Sequence, residues 1–180
     1  MIAEAAWQEF SLRKVLFIPS GDTPNKDMHH IDKNIRYAMV EKAIEGNGHF
    51  MISPIERDRQ GPSYTVDTIR ILQREFGDEY EFYFICGTDA VADLPTWKYN
   101  RELLSACHFI CASRPGNENE IQKSIDYFGE LGRKKIHFLK TPELAISSTI
   151  LREWIAEKRS VRYLIPDAVI DMIRSNKLYE

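Results

Sequence analysis

Residues 81–89 read EFYFICGTD, an aromatic and aliphatic run that ends in a glycine and an aspartate. Short runs that are apolar on both faces are typical of strands in a parallel sheet covered by helices on both sides. Four more runs of this kind occur along the 180-residue chain. They are VLFIP (15–19), HFMISPI (49–55), HFICA (108–112) and KIHFL (135–139).

Helical periodicity, with apolar residues recurring every three or four positions, occupies segments between these runs. Helices are predicted at residues 2–10, 31–44 and 66–76, and after Ser147 and Pro166. Strands that alternate with helices in this way predict an α/β fold with a doubly wound, Rossmann-like parallel sheet. At this length we expect a single domain over residues 1–180.

The composition excludes several classes of protein. With 43% hydrophobic residues, 24 Lys and Arg against 27 Asp and Glu, and a net charge of -3, the chain is neither disordered nor suited to nucleic acid as its main partner. No apolar run approaches the roughly 18 residues of a membrane span, and the first residues resemble no signal peptide. Cys86, Cys107 and Cys111 form no CxxC pair, which favours free thiols in a reducing compartment. We therefore expect a soluble cytoplasmic domain.

Three hydroxyl residues, Ser147, Ser148 and Thr149, begin one predicted helix, and Arg152 follows about one turn later. Free backbone N–H groups and the positive end of the helix dipole favour phosphate at such a start. The hydroxyls add donors, and the arginine offers a fork for phosphate oxygens. An ordinary Ser/Thr N-cap explains most starts of this kind, so the residues alone leave both interpretations open.

Two further turns follow the EFYFIC strand. Gly87 permits close backbone approach at the carboxyl end of that strand, where open α/β sheets bind ligands, and Asp89 can accept ribose hydroxyl protons. Capping of the next helix is the alternative for Asp89. Thr96 is predicted to cap a helix that runs through Leu103, with Trp97 in its first turn. Trp97 can stack on an aromatic ring there, while a core role is the alternative.

Three other loops carry donor groups at the same edge of the predicted sheet. They are GPSYTVDT (61–68), SRPG (113–116) and TPNK (23–26). Each suits ordinary turn or capping chemistry, but together they converge where the strands end. No metal site is predicted at His29, His30 and Asp32, because no second ligand cluster accompanies them. Hydrolase and P-loop patterns are absent from the sequence.

Six segments, in order, carry a resemblance to a known family. They are IAEAAWQEFSLRKVLFIPSG (2–21), RQGPSYTVDTI (59–69), YFICGTDAVADLPTW (83–97), ASRPG (112–116), ISSTILRE (146–153) and VRYLIPDAVIDMI (161–173). The chain closely resembles bacterial nicotinate-nucleotide adenylyltransferases, of the α/β nucleotidyltransferase group. ISSTILR alone fits several adenylyltransferases, including the phosphopantetheine enzyme, whereas GPSYTVDT together with GTDAVADLPTW is much more specific to the pyridine-nucleotide branch.

The resemblance implies a reaction in NAD biosynthesis, in which nicotinic acid mononucleotide attacks the α-phosphorus of ATP, with Mg²⁺ present. The products are deamido-NAD and pyrophosphate. The residues implied to bind ATP are Gly87, Asp89, Ser147, Ser148, Thr149 and Arg152. The pyridine ring is implied to stack on Trp97, with its carboxylate near Thr65 and the backbone around Lys98. Candidates for the mononucleotide phosphate are Lys26, Arg36 and Arg114, and Lys26 and Arg152 are the expected phosphate stabilisers.

The family begins with a strand and a GxFxPxHxGH motif, and neither occurs in this sequence. Its two histidines are the family's main transition-state contacts to ATP, so their loss is expected to lower the rate about a hundredfold or more. The first strand is central in this fold, so the strands near Val15 and Glu81 are expected to lose a shared neighbour. We expect that Met1 is a mis-assigned start and that the native protein is longer by about 20 residues, one strand and the motif.

Two other interpretations stay open. One is a catalytically inactive module that keeps Trp97 and Thr65 and only binds pyridine nucleotides. The other is an adenylyltransferase with a different acceptor, such as phosphopantetheine. The partners expected are the small molecules ATP and nicotinic acid mononucleotide, without nucleic acid or membrane. The sequence leaves a homo-oligomer open.

Overall fold

The computed structural model describes residues 1–21, 31–113, 118–141 and 146–179. All five predicted strands are confirmed, and each begins and ends inside its apolar run or within one residue of it. They are β1 (Val15–Phe17), β2 (Phe50–Ile52), β3 (Tyr83–Gly87), β4 (His108–Ser113) and β5 (Ile136–Lys140). Aromatic and β-branched side chains favour this extended, closely packed backbone.

The predicted helices are also confirmed, and the structure adds others that the periodicity did not indicate. In chain order the helices are α1 (Ile2–Glu9), α2 (Lys33–Ile44), α3 (Thr65–Phe76), α4 (Thr88–Asp93), α5 (Asn100–Ala106), α6 (Glu118–Phe128), α7 (Glu130–Lys135), α8 (Ser148–Ala156) and α9 (Asp167–Ser175). Helices α4 and α7 have six residues each, which is too short for a repeating apolar pattern to show.

The predicted helix start at Thr96 is wrong. Residues 94–96 form a 3₁₀ turn, Trp97 is extended, and α5 begins only at Asn100 after Tyr99 in the left-handed conformation, at φ 55°. The Thr96 hydroxyl donates back to the Asp93 carbonyl oxygen over 2.7 Å, so it does not cap a following helix. Trp97 therefore lies in a turn between two helical segments.

The strands form two sheets within the described residues. Strand β1 pairs with β2, and a second sheet has the order β3-β4-β5. The second sheet is parallel, with Gly87 beside Ala112 and Ala112 beside Leu139. Neither of these two sheets contains both β1 and β3.

The chain divides into two compact units, described here as unit 1 (residues 1–15 and 63–143) and unit 2 (residues 16–62 and 144–180). The core of unit 1 is built on β4, whose Phe109, Ile110 and Cys111 have no solvent exposure. Helices α6 and α7 of the same unit approach closely, since a Cβ on Gly132 would lie 2.5 Å from the Ile125 carbonyl oxygen. Only glycine fits that position without displacing backbone.

Unit 2 has a smaller apolar core. Its buried hydrophobic side chains among the described residues are Val161, Ile170 and Ile173. Helix α2 contacts α9, and β1 joins β2 through bonds that include Ser53 N–H to the Phe17 carbonyl oxygen, at 2.9 Å. In neither unit does the described chain contain a helix long and apolar enough to cross a membrane.

The cysteines are free thiols, as predicted. Cys107 and Cys111 are buried, and Cys86 of β3 lies beside Cys111 of β4 in the parallel register. Burial raises the pKa of Cys107 to about 12 and that of Cys111 to about 11, and it raises the pKa of Cys86 further still. These thiols are therefore protonated and unreactive at neutral pH.

Candidate functional site

The residues predicted to bind substrates divide between the two units. Unit 1 contains Thr65, Gly87, Asp89, Trp97 and Lys98, and unit 2 contains Arg36, Ser147, Ser148, Thr149 and Arg152. Lys26 and Arg114 lie outside the described residues. We describe the two groups separately.

Trp97 belongs to an aromatic cluster at the β3-β4-β5 sheet. Its ring meets Phe84 of β3 edge-on, with centroids 6.0 Å apart, and Phe109 of β4 with centroids 6.4 Å apart. Edge-to-face contacts of this kind fix the orientation of an aromatic ring. Trp97 is only partly buried, so the cluster holds the indole rigidly while leaving part of it accessible to a ligand ring.

Lys98 connects this turn to the start of α3. Its ammonium lies 4.5 Å from the ring centroid of Tyr64, the N-cap residue of α3, and 5.3 Å from that of Tyr99. Thr65 is the first residue of α3, so the structure brings Thr65, Trp97 and Lys98 to one region of unit 1. The first N–H groups of a helix have no acceptor within the helix and suit a carboxylate, and the acidic residue of this turn, Asp67, is paired with Arg70.

Tyr64 and Tyr99 are contacts in this region that sequence reasoning did not assign. Both rings pack against the Lys98 ammonium, and the Arg70 guanidinium also lies over Tyr99, at 5.3 Å. Tyr64 stands inside the GPSYTVDT segment, where an aromatic residue next to the predicted helix start was the available signal. No such signal for Tyr99 existed in the sequence, because the left-handed backbone of this residue depends on the turn around it.

Gly87 and Asp89 lie where β3 passes into α4. Gly87 is the N-cap of α4, and a Cβ placed on it would meet no atom within 4 Å. Thr88 is buried, whereas Asp89 is exposed in the first turn. Gly87 therefore borders open space at the carboxyl end of β3. The Asp89 side chain is exposed, so its carboxylate is accessible to a hydroxyl group of a ligand.

The start of α8 has the predicted hydroxyl cluster. Ser147 is the N-cap, and its Oγ accepts from the Ile150 N–H over 3.1 Å, while Ser148 and Thr149 are exposed. Arg152 reaches the Thr149 hydroxyl at 3.4 Å, so its guanidinium lies beside the first turn. No acidic residue occupies that turn. The Ser147 hydroxyl therefore caps the helix, while the hydroxyls of Ser148 and Thr149 lie exposed beside Arg152.

Arg36 of α2 is already engaged. Its Nη1 donates to the Ser20 carbonyl oxygen at 2.6 Å, and its Nη2 donates to the Gly21 carbonyl oxygen at 3.2 Å. Nη1 also donates to the Ser20 hydroxyl at 3.3 Å, so both terminal nitrogens of the guanidinium hold the chain that follows β1.

Comparison with known proteins gives first the class and then the family. A family model described as cytidylyltransferase-like matches residues 1–154. A probable nicotinate-nucleotide adenylyltransferase of Moorella thermoacetica is 45% identical over 179 residues, which cover 98% of this chain and 82% of that protein. One from Thermoanaerobacter is 42% identical over 180 residues, covering 99% of this chain and 85% of that protein. The chain belongs to the nicotinate-nucleotide adenylyltransferase family, which confirms the resemblance drawn from its six segments.

Solved structures share the fold. A Plasmodium falciparum nicotinic acid mononucleotide adenylyltransferase complexed with NaAD superposes with a TM-score of 0.73 at 19% identity, covering 99% of this chain and 90% of that chain. The same enzyme complexed with APC gives a TM-score of 0.71. At this identity the likeness concerns the fold alone, and it agrees with the α/β arrangement predicted from the apolar runs.

Proposed function

We propose that this chain transfers the adenylyl group of ATP to nicotinic acid mononucleotide, giving deamido-NAD and pyrophosphate in NAD biosynthesis. The observation that carries the proposal is the 45% identity over nearly the whole chain to a protein named as a probable nicotinate-nucleotide adenylyltransferase. The aromatic and cationic surroundings of Trp97 support it, because a pyridine carboxylate combines a ring with an anion.

The reaction needs no covalent enzyme intermediate. A phosphate oxygen of the mononucleotide forms a bond to the α-phosphorus of ATP, and the bond from that phosphorus to the oxygen bridging to the β-phosphate breaks, releasing pyrophosphate. Catalysis of such a transfer consists of positioning and of stabilising phosphoryl charge. The donors that we assign to the ATP phosphates are Ser148, Thr149, Arg152 and the N–H groups at the start of α8.

The acceptor ring is assigned to Trp97. An indole held by Phe84 and Phe109 can stack on a pyridine without reorganising, which lowers the entropic cost of binding. Thr65 and the Lys98 backbone are assigned to the carboxylate, and Gly87 and Asp89 to the nucleotide riboses. Lys26 and Arg114 remain proposed phosphate contacts on the strength of the family resemblance.

Mg²⁺ fits this donor set as a companion of the nucleotide. No group of three or more His, Cys, Asp or Glu side chains is arranged for a metal within the described ranges. Mg²⁺ is commonly held through substrate phosphates and water with few protein ligands, and hydroxyl and guanidinium donors leave that role to the phosphates. When bound, the ion neutralises charge on the ATP phosphates.

The proposal is tested by measuring pyrophosphate release from ATP and nicotinic acid mononucleotide by the full chain. Replacing Trp97 by Ala should raise KM for the mononucleotide about tenfold with little change in KM for ATP, because only the acceptor loses a stacking partner. Trp97→Phe, which retains a ring, is the matched control and should stay near the wild type.

Two outcomes would contradict the proposal. Binding of the mononucleotide without pyrophosphate release would favour the inactive binding module. An acceptor affinity unaffected by Trp97→Ala, with turnover on phosphopantetheine, would favour the other adenylyltransferase.

A further inference from the structure

Arg59 stands in the loop that joins β2 to α3, in unit 2. Its Nη1 and Nη2 atoms are both buried, and neither has a hydrogen-bond partner among the described residues. The other arginine of this loop, Arg57, is engaged by comparison. It forms a pair with Asp58 at 2.7 Å and lies over the Tyr37 ring at 4.3 Å. Arg59 is thus a buried cation whose terminal nitrogens lack a partner in the described protein.

A guanidinium cannot escape this situation by losing its proton, since arginine stays charged in proteins. Burying a charge without a partner is strongly unfavourable, so buried charges in proteins are paired with a group of opposite charge. The two terminal nitrogens form a planar fork that matches two oxygens of a single oxyanion. The Arg59 side chain therefore has the geometry of an anion-binding group. Among the described residues, no hydrogen-bond acceptor occupies its two terminal nitrogens.

The acidic residue next to Arg59 in the sequence, Asp58, does not supply an anion for these two nitrogens. The Asp58 carboxylate is committed to Arg57, and this hydrogen bond holds the pKa of Asp58 below its ordinary value. Lys33 of α2 lies beside the loop and is a third cation after Arg57 and Arg59, donating from Nζ to the Arg57 carbonyl oxygen at 2.7 Å. The loop around Arg59 therefore contains two acids and two arginines, and one of those acids, Asp58, is engaged by Arg57.

We propose that Nη1 and Nη2 of Arg59 bind a phosphate group of a nucleotide substrate. This inference rests on the proposed function, whose two substrates both carry phosphate, and it assigns a role to Arg59, the first residue of the RQGPSYTVDTI segment, for which the sequence indicated none. Within unit 2 it also distinguishes Arg59 from Arg36, whose Nη1 and Nη2 already donate to backbone carbonyl oxygens.

The test is thermal unfolding of the full chain with three separate probes: inorganic phosphate, nicotinic acid mononucleotide, and nicotinic acid, which lacks phosphate. Wild-type Tm should rise with the first two. In Arg59→Met, an apolar chain of similar length replaces the unpaired charge, so Tm without ligand should be unchanged or higher. The affinity for both phosphate probes should fall about 10- to 100-fold. Arg57→Met is the matched control and should keep the response to phosphate.

Three results would overturn the proposal. The first is a wild-type Tm that does not respond to phosphate. The second is an equal response in Arg59→Met. The third is a marked fall in the ligand-free Tm of Arg59→Met, because it would show that a carboxylate of the protein already pairs with the guanidinium. None of these measurements needs turnover, so an absence of pyrophosphate release with an Arg59-dependent phosphate response would count against the proposed function alone.

Discussion

Two imidazoles, His108 of β4 and His137 of β5, form a hydrogen-bonded stack in unit 1. The His108 Nδ1 and His137 Nε2 atoms are 2.8 Å apart, and the Lys135 ammonium lies 2.9 Å from His108 Nε2. An ammonium only donates, so His108 Nε2 accepts, its proton lies on Nδ1, and Nδ1 donates to His137. Tyr83 stacks on His108, and Phe10 of α1 packs against His137.

This network predicts a pH dependence of stability. Burial, and next the Lys135 charge, lower the pKa of both imidazoles below the ordinary 6.5, while Glu81 opposes the shift at His108. As pH falls below 6.5, the unfolded chain binds protons that the folded chain excludes, so the free energy of unfolding decreases. Urea unfolding between pH 7.5 and 5.5, values chosen to span roughly one unit on each side of the ordinary histidine pKa, measures this slope.

His137→Phe should reduce the slope, because the ring contacts remain and one titrating group is removed. His49→Gln, outside the pair, should retain it. Equal slopes in wild type and His137→Phe would contradict this account. The pairing of His108 with His137 could not be predicted from the sequence, because the two residues are 29 positions apart and meet only through strand register.

At the scale of the element, α8 allows its capping and phosphate-binding roles to be separated. Aspartate caps a helix as well as serine does, so Ser147→Asp should leave the ligand-free stability within about 0.5 kcal/mol of the wild type. It also adds a negative charge where the ATP phosphates are proposed to bind. KM for ATP should therefore rise about tenfold or more, measured by pyrophosphate release.

Ser147→Ala is the counterpart, because it should lower stability by about 1 kcal/mol without introducing repulsion. If Ser147→Asp kept the wild-type KM for ATP, the start of α8 would be a helix cap and no more.

The strands and five of the helices, α1, α2, α3, α8 and α9, were predictable because their apolar patterns are local, whereas α6, with 11 residues, was not predicted. The start of α5 was not, since Tyr99 takes a left-handed backbone that propensity disfavours and the surrounding turn imposes. The candidate site shows the same division. The hydroxyl residues at 147–149 indicated a helix start from their sequence alone. The burial of the Arg59 nitrogens could not be predicted in this way, because it depends on residues that are close in space and not in the motif.

At the scale of the whole molecule, buried apolar side chains are unevenly distributed. Strand β4 is paired on both sides and lies in the core of unit 1, whereas β1 and β2 form a two-stranded sheet among the described residues. Two-stranded sheets are marginally stable by themselves. Backbone amides of β1 and β2 should therefore exchange with deuterium about tenfold faster or more than those of β4.

Hydrogen-exchange mass spectrometry on the full chain measures the difference in exchange rate between the two sheets. Saturating ATP should reduce this difference, because a ligand stabilises the folded state to which it binds. Equal protection of the two sheets without ligand would contradict the prediction.

The sequence also predicts one domain over residues 1–180. A single cooperative unfolding transition, seen at the same midpoint by two probes, would support that prediction.

The three thiols have a practical consequence. Alkylating reagents attack the thiolate, and a thiol whose pKa stands at about 11 or 12 offers almost none at neutral pH while the fold is closed. Once unit 1 opens, Cys107 and Cys111 return to ordinary acidity and become targets. The rate at which the two thiols are labelled therefore measures how often the β3-β4-β5 sheet opens. Because both cysteines are native residues, no added probe is needed.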